Sequence, residues 1–423
     1  MAPKHQAPRG TRDLLPEDTG RWQWAETLAR EVFARYGYGE IRTPIFEEYE
    51  LFARSSGESS DVVQKEMYRF TDLGERELAL RPESTAGVVR AYLEHGLGGH
   101  ARVHRLWYTG PMFRYGRPQK GRYRQFHQVG CELIGSPAPG ADVEVITLFV
   151  DLFEAWGFRD LVVLVNSVGT TETRRAYGEA LRALLAPHRE RLCEDSQRRL
   201  DTNPLRVLDT KSESDLALLG ELAPLPQMID FLDPESAEHW AQVVAGLAAA
   251  GVQFEVDHGL VRGLDYYTRT AFEVHDRSLG AQSALGGGGR YDGLVEMLGG
   301  PPTPGVGFSI GLDRAMLVLH ERGNVPESSN AVCIVAMDAT RAAATALARE
   351  LRREFTVEVD VEARGFSAQM KAAGKSGARF LVIMGEDEWN AGQKVALKDS
   401  ASGTQETLTR DAVAAALRAK LVR

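Results

Sequence analysis

The sequence predicts a mixed α+β chain of several domains that ends in a small α/β domain. Three observations carry that reading. An apolar stripe of helical period near the N-terminus feeds a stretch of strand-like alternation. A block of helical periods over residues 169–253 interrupts strand-rich sequence on both sides, as a helical insertion into one α+β domain would. From residue 330 onward, strand and helix patterns alternate, which calls for a sheet with covered faces.

The elements follow in order. In "EDTGRWQWAETLAREVFARYG", Trp22, Ala25, Leu28, Ala29, Val32, Phe33 and Tyr36 fall on one helical stripe, and Gly37 and Gly39 stop it. "EIRTPIFE" then alternates Ile41, Thr43 and Ile45 like a strand. Pro44 cannot donate to a ladder, so the strand is expected at an edge or bent. "ALRPESTAGVVRAYLEHG" reads as a strand end, a turn at Pro82 and a helix capped by Ser84 or Thr85. Glu83 at that helix start either satisfies the helix dipole or faces a ligand.

"RVHRLWYTGPMFRYGRPQKGRYRQFHQVGCELIG" reads as two strands around a basic loop. On the second, Arg124, Phe126, Gln128, Gly130 and Glu132 share one face, and Gly130 leaves room for a small ligand. Strands resume at "QFEVDHGLVRGLDYYTRTAFEVHD", "GGGGRYDGL" reads as a glycine turn, and "PGVGFSIGLDRAMLVLHERG" as a strand leading to a helix. "RGNVPESSN" is a linker by composition. "GKS" at Gly374–Ser376 is not a phosphate loop, because Gln369 stands where the motif needs its first glycine.

Composition bounds the function. The 423 residues, 43% apolar and 26% charged, suit a globular chain of two or three domains. No apolar run reaches the ~18–20 residues of a membrane helix, and the first residues lack the apolar core of a secretory signal, so a cytoplasmic protein without a membrane partner is expected. Cys131, Cys193 and Cys333 form no paired motif, which argues for reduced thiols and against a thiolate metal site. A net charge of −9 disfavours binding nucleic acid by bulk basicity. Yet residues 101–131 contain no acid and carry Arg102, Arg105, Arg114, Arg117, Lys120, Arg122 and Arg124 among aromatic residues. A local positive site on an acidic protein suits a phosphate-rich ligand held in one place.

Three arginines in apolar or glycine-rich settings, Arg114, Arg262 and Arg314, would together bind a polyphosphate and stabilise charge on a phosphorus under attack. Each singly could instead be half of a structural ion pair, Arg314 with Asp313 for example. Glu83, Glu132 and Gln128 suit a second substrate with an ammonium or imidazole group. Tyr266 and Tyr267 either add phenols to that site or alternate inward and outward along a strand. No nucleophile–base pair is needed, because adenylyl transfer relies on positioning and charge stabilisation.

At these residues the chain resembles the class II aminoacyl-tRNA synthetases, and among them the histidyl-tRNA synthetase family. "RGTRDLLP", "LRPESTAG", "FRYGRPQKGRYRQFHQVGCELIG", "TNPLRVLD", "LVRGLDYYT", "GGGGRYDGL" and "GVGFSIGLDR" all carry the likeness, and it covers nearly the whole chain. The resemblance implies an antiparallel-sheet catalytic domain in two parts (residues 1–168 and 254–325), a helical insertion (169–253) and an anticodon-binding α/β domain (330–423). It implies a homodimer that activates L-histidine with ATP to histidyl-adenylate and then charges the histidine tRNA, with Mg2+ arriving on ATP and no metal site of the protein's own.

Carried onto this sequence, the resemblance implies catalytic roles for Arg114, Arg262 and Arg314. It implies a histidine site of Glu83, Ser84, Thr85, Arg114, Gln128, Glu132, Arg262, Tyr266 and Tyr267. ATP contacts would come from Arg114, Arg122, Gln128 and Arg314, and contacts to the tRNA acceptor end from Arg117, Gln119 and Arg124. Two positions depart from the family pattern. Gly116 stands where relatives often carry a glutamate near the adenine amino group, and Asp313 where they carry a glutamate before the arginine. A catalytically inactive regulatory subunit of histidine synthesis is the alternative; Arg114, Arg262, Arg314 and the last domain argue against it.

Overall fold

A computed structural model of the chain describes residues 5–57, 60, 62–117, 121–208, 210–260, 266–277, 284–323 and 331–421. The chain divides into two compact units, Met1–Val325 and Pro326–Arg423.

The first unit opens with α1 (Pro16–Arg35), with proline in its first turn, Glu17 and Asp18 at its N-terminal end and Arg35 in its last turn. The stripe read from sequence faces inward: Trp22, Ala25, Ala29, Val32 and Phe33 are buried. The strand expected over 40–47 is split into β1 (Gly39–Glu40) and β2 (Phe46–Glu48), with Pro44 between them. The lost ladder is replaced by Arg81, whose guanidinium donates to the carbonyls of Thr43 at 3.1 Å and Pro111 at 2.9 Å. After α2 (Tyr49–Ser56), β3 (Arg69–Thr71) and β4 (Glu77–Leu80) close a small antiparallel sheet of order β2-β4-β3. It leads into α3 (Thr85–Glu94).

The main sheet adds β5 (His104–Phe113), β6 (Gln125–Ile134), β7 (Leu161–Ser167), β8 (Phe254–Val256), β9 (Thr268–Asp276), β10 (Ala284–Arg290) and β11 (Gly305–Gly311). Its order is β1-β5-β6-β11-β10-β9-β7-β8. The pairings from β5 across to β7 are antiparallel, and only the edge strands β1 and β8 pair in parallel. Period-two alternation sorts the two faces. Val129, Cys131, Leu133, Val306, Phe308 and Ile310 join the back-face core with α1 and α4 (Pro139–Ala155). Phe33 stacks on Trp107 with ring centroids 4.9 Å apart, and the Trp156 indole donates to the Ala25 carbonyl at 2.9 Å. Each such large apolar side chain contributes about 1.5–3 kcal/mol by burial.

Four α-helices occupy residues 171–249 among the described residues: α5 (Thr171–Leu185), α6 (Glu194–Thr202), α7 (Glu213–Glu221) and α8 (Pro234–Ala249). The first three enclose their own cluster around Leu185, Leu200 and Leu218, whereas Trp240, Val243 and Leu247 of α8 join the main core. A buried ionic cluster secures that contact. Arg290 meets Asp142 at 3.1 Å and the Ser136 carbonyl at 2.9 Å, and His239 of α8 lies 3.3 Å from Asp142. Two further helices, α9 (Leu294–Met297) and α10 (Leu312–Glu321), complete the unit.

The expected glycine turn is a correction. Gly286–Gly289 lie inside β10, a central strand between β9 and β11. The residues are glycine because neighbours come too close for a side chain. A Cβ on Gly288 would stand 2.0 Å from the Gly307 carbonyl, and one on Gly289 2.6 Å from the Tyr267 ring.

The second unit pairs β12 (Ala331–Ala336), β13 (Thr356–Val359), β14 (Phe380–Met384), β15 (Lys394–Asp399) and β16 (Gln405–Thr409) in the order β13-β12-β14-β15-β16. β13, β12 and β14 run parallel, and β15 and β16 add to them antiparallel. α11 (Arg341–Leu351) and α14 (Val413–Leu421) cover one face, and α12 (Phe366–Ala373) the other. The strand β16 and the short α13 (Glu386–Asn390) were not anticipated from sequence. Gly374 ends α12, and the Ser376 hydroxyl donates back to Ala373, so "GKS" is a helix terminus.

Candidate active site

On the front face of the main sheet, the side chains of β6, β9, β10 and β11 fall in rows. Register pairs Glu132 with Gly307 and Gly307 with Gly289; one row on, Ser309 pairs with Gly130 and with Gly287, and Gly287 with Glu273. Glycines thus form a floor with polar residues standing at its margins. Above it lies a cavity of about 690 Å³, within the range of small-molecule sites.

One part of the cavity is built on Glu132, which is 1% exposed. Its Oε1 accepts from the Thr85 hydroxyl at 2.7 Å and the Tyr108 hydroxyl at 3.3 Å; its Oε2 accepts from Tyr291 at 2.5 Å. Burial pushes its carboxyl up to about 8, against those three donors. Glu83 lies just ahead of α3 and accepts from the backbone N–H groups of Thr85 at 2.5 Å and Ala86 at 3.0 Å. Glu83, not Ser84 or Thr85, therefore caps the helix, because a carboxylate meets two orphan donors where a hydroxyl meets one. Burial raises its pKa as well, opposed by those N–H groups and by Arg114.

Tyr266 and Tyr267 do not alternate inward and outward. Both are buried with ring centroids 4.7 Å apart, and the ring of Tyr291 lies 5.9 Å from that of Tyr266. Gln128 donates to the Ser309 hydroxyl at 3.4 Å, while its buried Oε1 has no partner among the described residues. An orphaned buried acceptor beside a cavity is suited to a ligand N–H.

The other part is cationic. Arg114 donates to the Pro82 carbonyl at 2.9 Å and lies over Phe126, 5.4 Å from the ring centroid. Arg117, Arg122 and Arg314 line the same space. Burial, with the charge of Arg122 beside it, pulls the Arg314 pKa down. Arg314 does not pair with Asp313. Asp313 accepts from Arg12 at 3.0 Å and from the His127 backbone N–H at 2.7 Å, contacts that hold it below the usual carboxylate range despite burial. Among the described residues Arg314 has no carboxylate partner, so its charge is left for an anion.

Of the residues singled out from sequence, Glu83, Thr85, Arg114, Arg117, Arg122, Gln128, Glu132, Tyr266, Tyr267 and Arg314 line this one cavity. Ser84 lies behind it, its hydroxyl 3.6 Å from the Met112 sulfur. Arg124 stacks on Tyr115, 3.7 Å from the ring centroid, outside the lining. Gly130 leaves no ligand space of its own, because the Tyr108 hydroxyl would stand 2.6 Å from a Cβ there. Arg262 and Gln119 lie outside the described residues. Sequence reasoning passed over Tyr291, Tyr108, Ser309, Glu273 and Glu66. Tyr291 stands two residues past the glycine run, so reading that run as a strand beside the site would have found it. Among the described residues no three His, Cys, Asp or Glu side chains are grouped to hold a metal ion, and no helix is long and apolar enough to cross a membrane.

The chain is similar to known proteins over nearly its whole length. Residues 10–315 match the family model described as histidyl-tRNA synthetase, and residues 331–420 match that of an anticodon binding domain. The chain is 49% identical over 406 residues to a histidine–tRNA ligase of Thermosynechococcus vestitus, spanning 95% of this chain and 93% of that protein. It is 48% identical over 410 residues to one of Desulforamulus reducens, spanning 96% and 97%. The solved structure of apo S. aureus histidyl-tRNA synthetase superposes with a TM-score of 0.80 at 38% identity, covering 98% of this chain and all of that one.

Proposed function

This chain belongs to the histidyl-tRNA synthetase family and is a histidine–tRNA ligase, and from that premise we propose how its cavity divides the reaction. The observation that carries the reading is one cavity that joins a carboxylate ringed by hydroxyls to a group of arginines, of which Arg314 has no carboxylate partner among the described residues. Glu132, with Tyr267 and Tyr266, takes the imidazole, and its carboxylate accepts the ring N–H. Glu83, Thr85 and the orphaned Gln128 oxygen take the α-ammonium. Arg114 holds the substrate carboxylate and the α-phosphate together, so that the carboxylate oxygen attacks the α-phosphorus and pyrophosphate leaves. Arg314 and Arg122 hold the remaining phosphates, with Arg314 against the base, and Arg262 supplies further charge at the α-phosphate. The guanidiniums accept the charge that builds on the phosphorus without covalent help.

In the second step, Arg117, Gln119 and Arg124 meet the acceptor end of the histidine tRNA, and residues 330–423 meet its anticodon. Mg2+ arrives with ATP in this reading. Residues 1–168 and 254–325 form the catalytic domain, and residues 169–253 an insertion whose last helix is anchored on the core. A homodimer in the cytoplasm completes the proposal. Support for the dimer comes from Ile45, Phe46 and Phe70, which are 44%, 51% and 41% exposed around the Pro44 segment.

ATP–pyrophosphate exchange with each amino acid in turn tests the reading, and exchange with histidine alone is expected. Histidine binding without exchange would favour the regulatory alternative. Arg262→His should cut exchange severely while leaving histidine affinity near normal. A tRNA footprint should cover residues 117–124 and the second unit; protection of neither removes the proposed RNA placement.

A further inference from the structure

Five carboxylates line the cavity: Glu66, Glu83, Glu132, Glu273 and Asp313. Four are engaged. Glu83 caps α3, Glu132 holds three hydroxyls, Glu273 pairs with His275 at 3.0 Å, and Asp313 holds Arg12 and His127. Glu66 is half-buried, and among the described residues its carboxylate has no hydrogen bond or ion pair. It ends the helical turn Val62–Glu66, and its carbonyl accepts from the Tyr115 N–H at 2.6 Å. That bond fixes it against the segment carrying Arg114 and Arg117. Its Oε1 lies 3.7 Å from where a Cβ on Gly116 would stand, and nothing at position 116 fills the space between.

A carboxylate that stays unpaired on the arginine-bearing wall of a cavity is an acceptor held for a ligand N–H. The guanidiniums there account for the phosphates of a nucleotide and, through Arg314, for one face of its base, but as donors they cannot accept from the amino group on its edge. Adenine carries an amino donor at C6, where guanine carries an oxygen acceptor. We propose that Glu66 accepts a hydrogen bond from the 6-amino group of the nucleotide base and thereby selects adenine over guanine. The inference rests on the reading of this cavity as the ATP site and adds the residue that reads the base. A hydrogen bond to an ionised group would favour the 6-amino base by roughly ten- to a hundredfold, and repulsion between Glu66 and the guanine oxygen would add to the discrimination against GTP.

The test is tRNA-free ATP–pyrophosphate exchange with histidine, run with ATP, GTP and purine riboside triphosphate, which lacks the 6-amino group. In the native protein, kcat/KM should favour ATP over the purine analogue by roughly ten- to a hundredfold. In Glu66→Ala that ratio should fall to near one, through KM rather than kcat, with histidine affinity by calorimetry unchanged. Glu66→Gln, whose amide can donate to the guanine oxygen, should narrow the ATP-to-GTP ratio. Adding Gly116→Glu to Glu66→Ala should restore part of the preference for ATP, because a side chain at 116 starts beside the lost carboxylate. An unchanged ratio in Glu66→Ala, or equal losses with all three nucleotides, overturns the assignment, as does a defect confined to tRNA charging. Absence of histidine-dependent exchange in the native protein would instead strike the function reading, so the two failures are separable.

Discussion

Tyr291→Phe deletes one oxygen from the centre of the proposed histidine site, and its consequence follows from the geometry of Glu132. Oε1 of Glu132 has two hydroxyl donors, Thr85 and Tyr108, but among the described residues Oε2 has only Tyr291, at 2.5 Å. Of the contacts that oppose burial and favour the carboxylate, the Tyr291 hydrogen bond is the largest. Removing it leaves a buried ionised oxygen without a donor, a loss of about 1.5–3 kcal/mol for a hydrogen bond to a charged group. At 1.4 kcal/mol per factor of ten, the carboxylate form becomes roughly ten- to a hundredfold rarer at neutral pH. If Glu132 accepts the imidazole N–H, the histidine KM should rise by a similar factor at pH 7 while the ATP KM stays unchanged. In the native protein, histidine affinity should climb as pH rises through about 8, where Glu132 ionises. In the variant that limb should move upward. The assay is exchange kinetics across the pH range, with thermal melting to verify the fold. An unchanged histidine KM and pH profile in a folded variant would refute the role of the Tyr291–Glu132 pair.

Two stability predictions accompany it. The folded pKa of Glu132, about 8, lies above its ordinary value of 4.5, so the folded chain retains a proton that the unfolded chain releases between those values. Stability from this group is therefore lost as pH rises through that window. Glu132→Gln should lack the dependence and gain in Tm relative to the native protein toward alkaline pH; a Tm difference that is constant with pH contradicts the assignment. Gly288→Ala should destabilise by about 1–3 kcal/mol or more through overpacking, since its Cβ would meet the Gly307 carbonyl at 2.0 Å. Gly293→Ala, with nothing within 4 Å, should be nearly neutral in urea unfolding. Equal effects would discredit the close-approach account of the glycine strand.

Much of this molecule was readable in one dimension because the physics behind it is local. The α1 stripe repeats every turn, and the β6 face carrying Phe126, Gln128 and Glu132 repeats every second residue. Either period assigns a side before any partner is known. Carboxylates and arginines of the proposed site were picked out by residue type and by likeness to a family whose motifs lie in short contiguous stretches. Nothing local, however, says which groups are already engaged. Asp313 adjoins Arg314 in the chain but bonds Arg12, which is 301 residues away.

The glycine run shows the limit most plainly. Four consecutive glycines read as a turn because glycine tolerates any backbone conformation. They form a central strand instead, because Gly307 and Tyr267 approach from distant parts of the chain and leave no room for a Cβ. In the same way, the hydroxyls of Tyr291 and Thr85 and the unengaged carboxylate of Glu66 acquire meaning only where β4, β6 and β10 are brought together. Local period and residue type identified most of the elements, the faces they turn inward and the residue types of the site. Tertiary structure decided which of those charges are spent on one another and which remain for a substrate, since pairing and burial depend on distance in space and not along the chain.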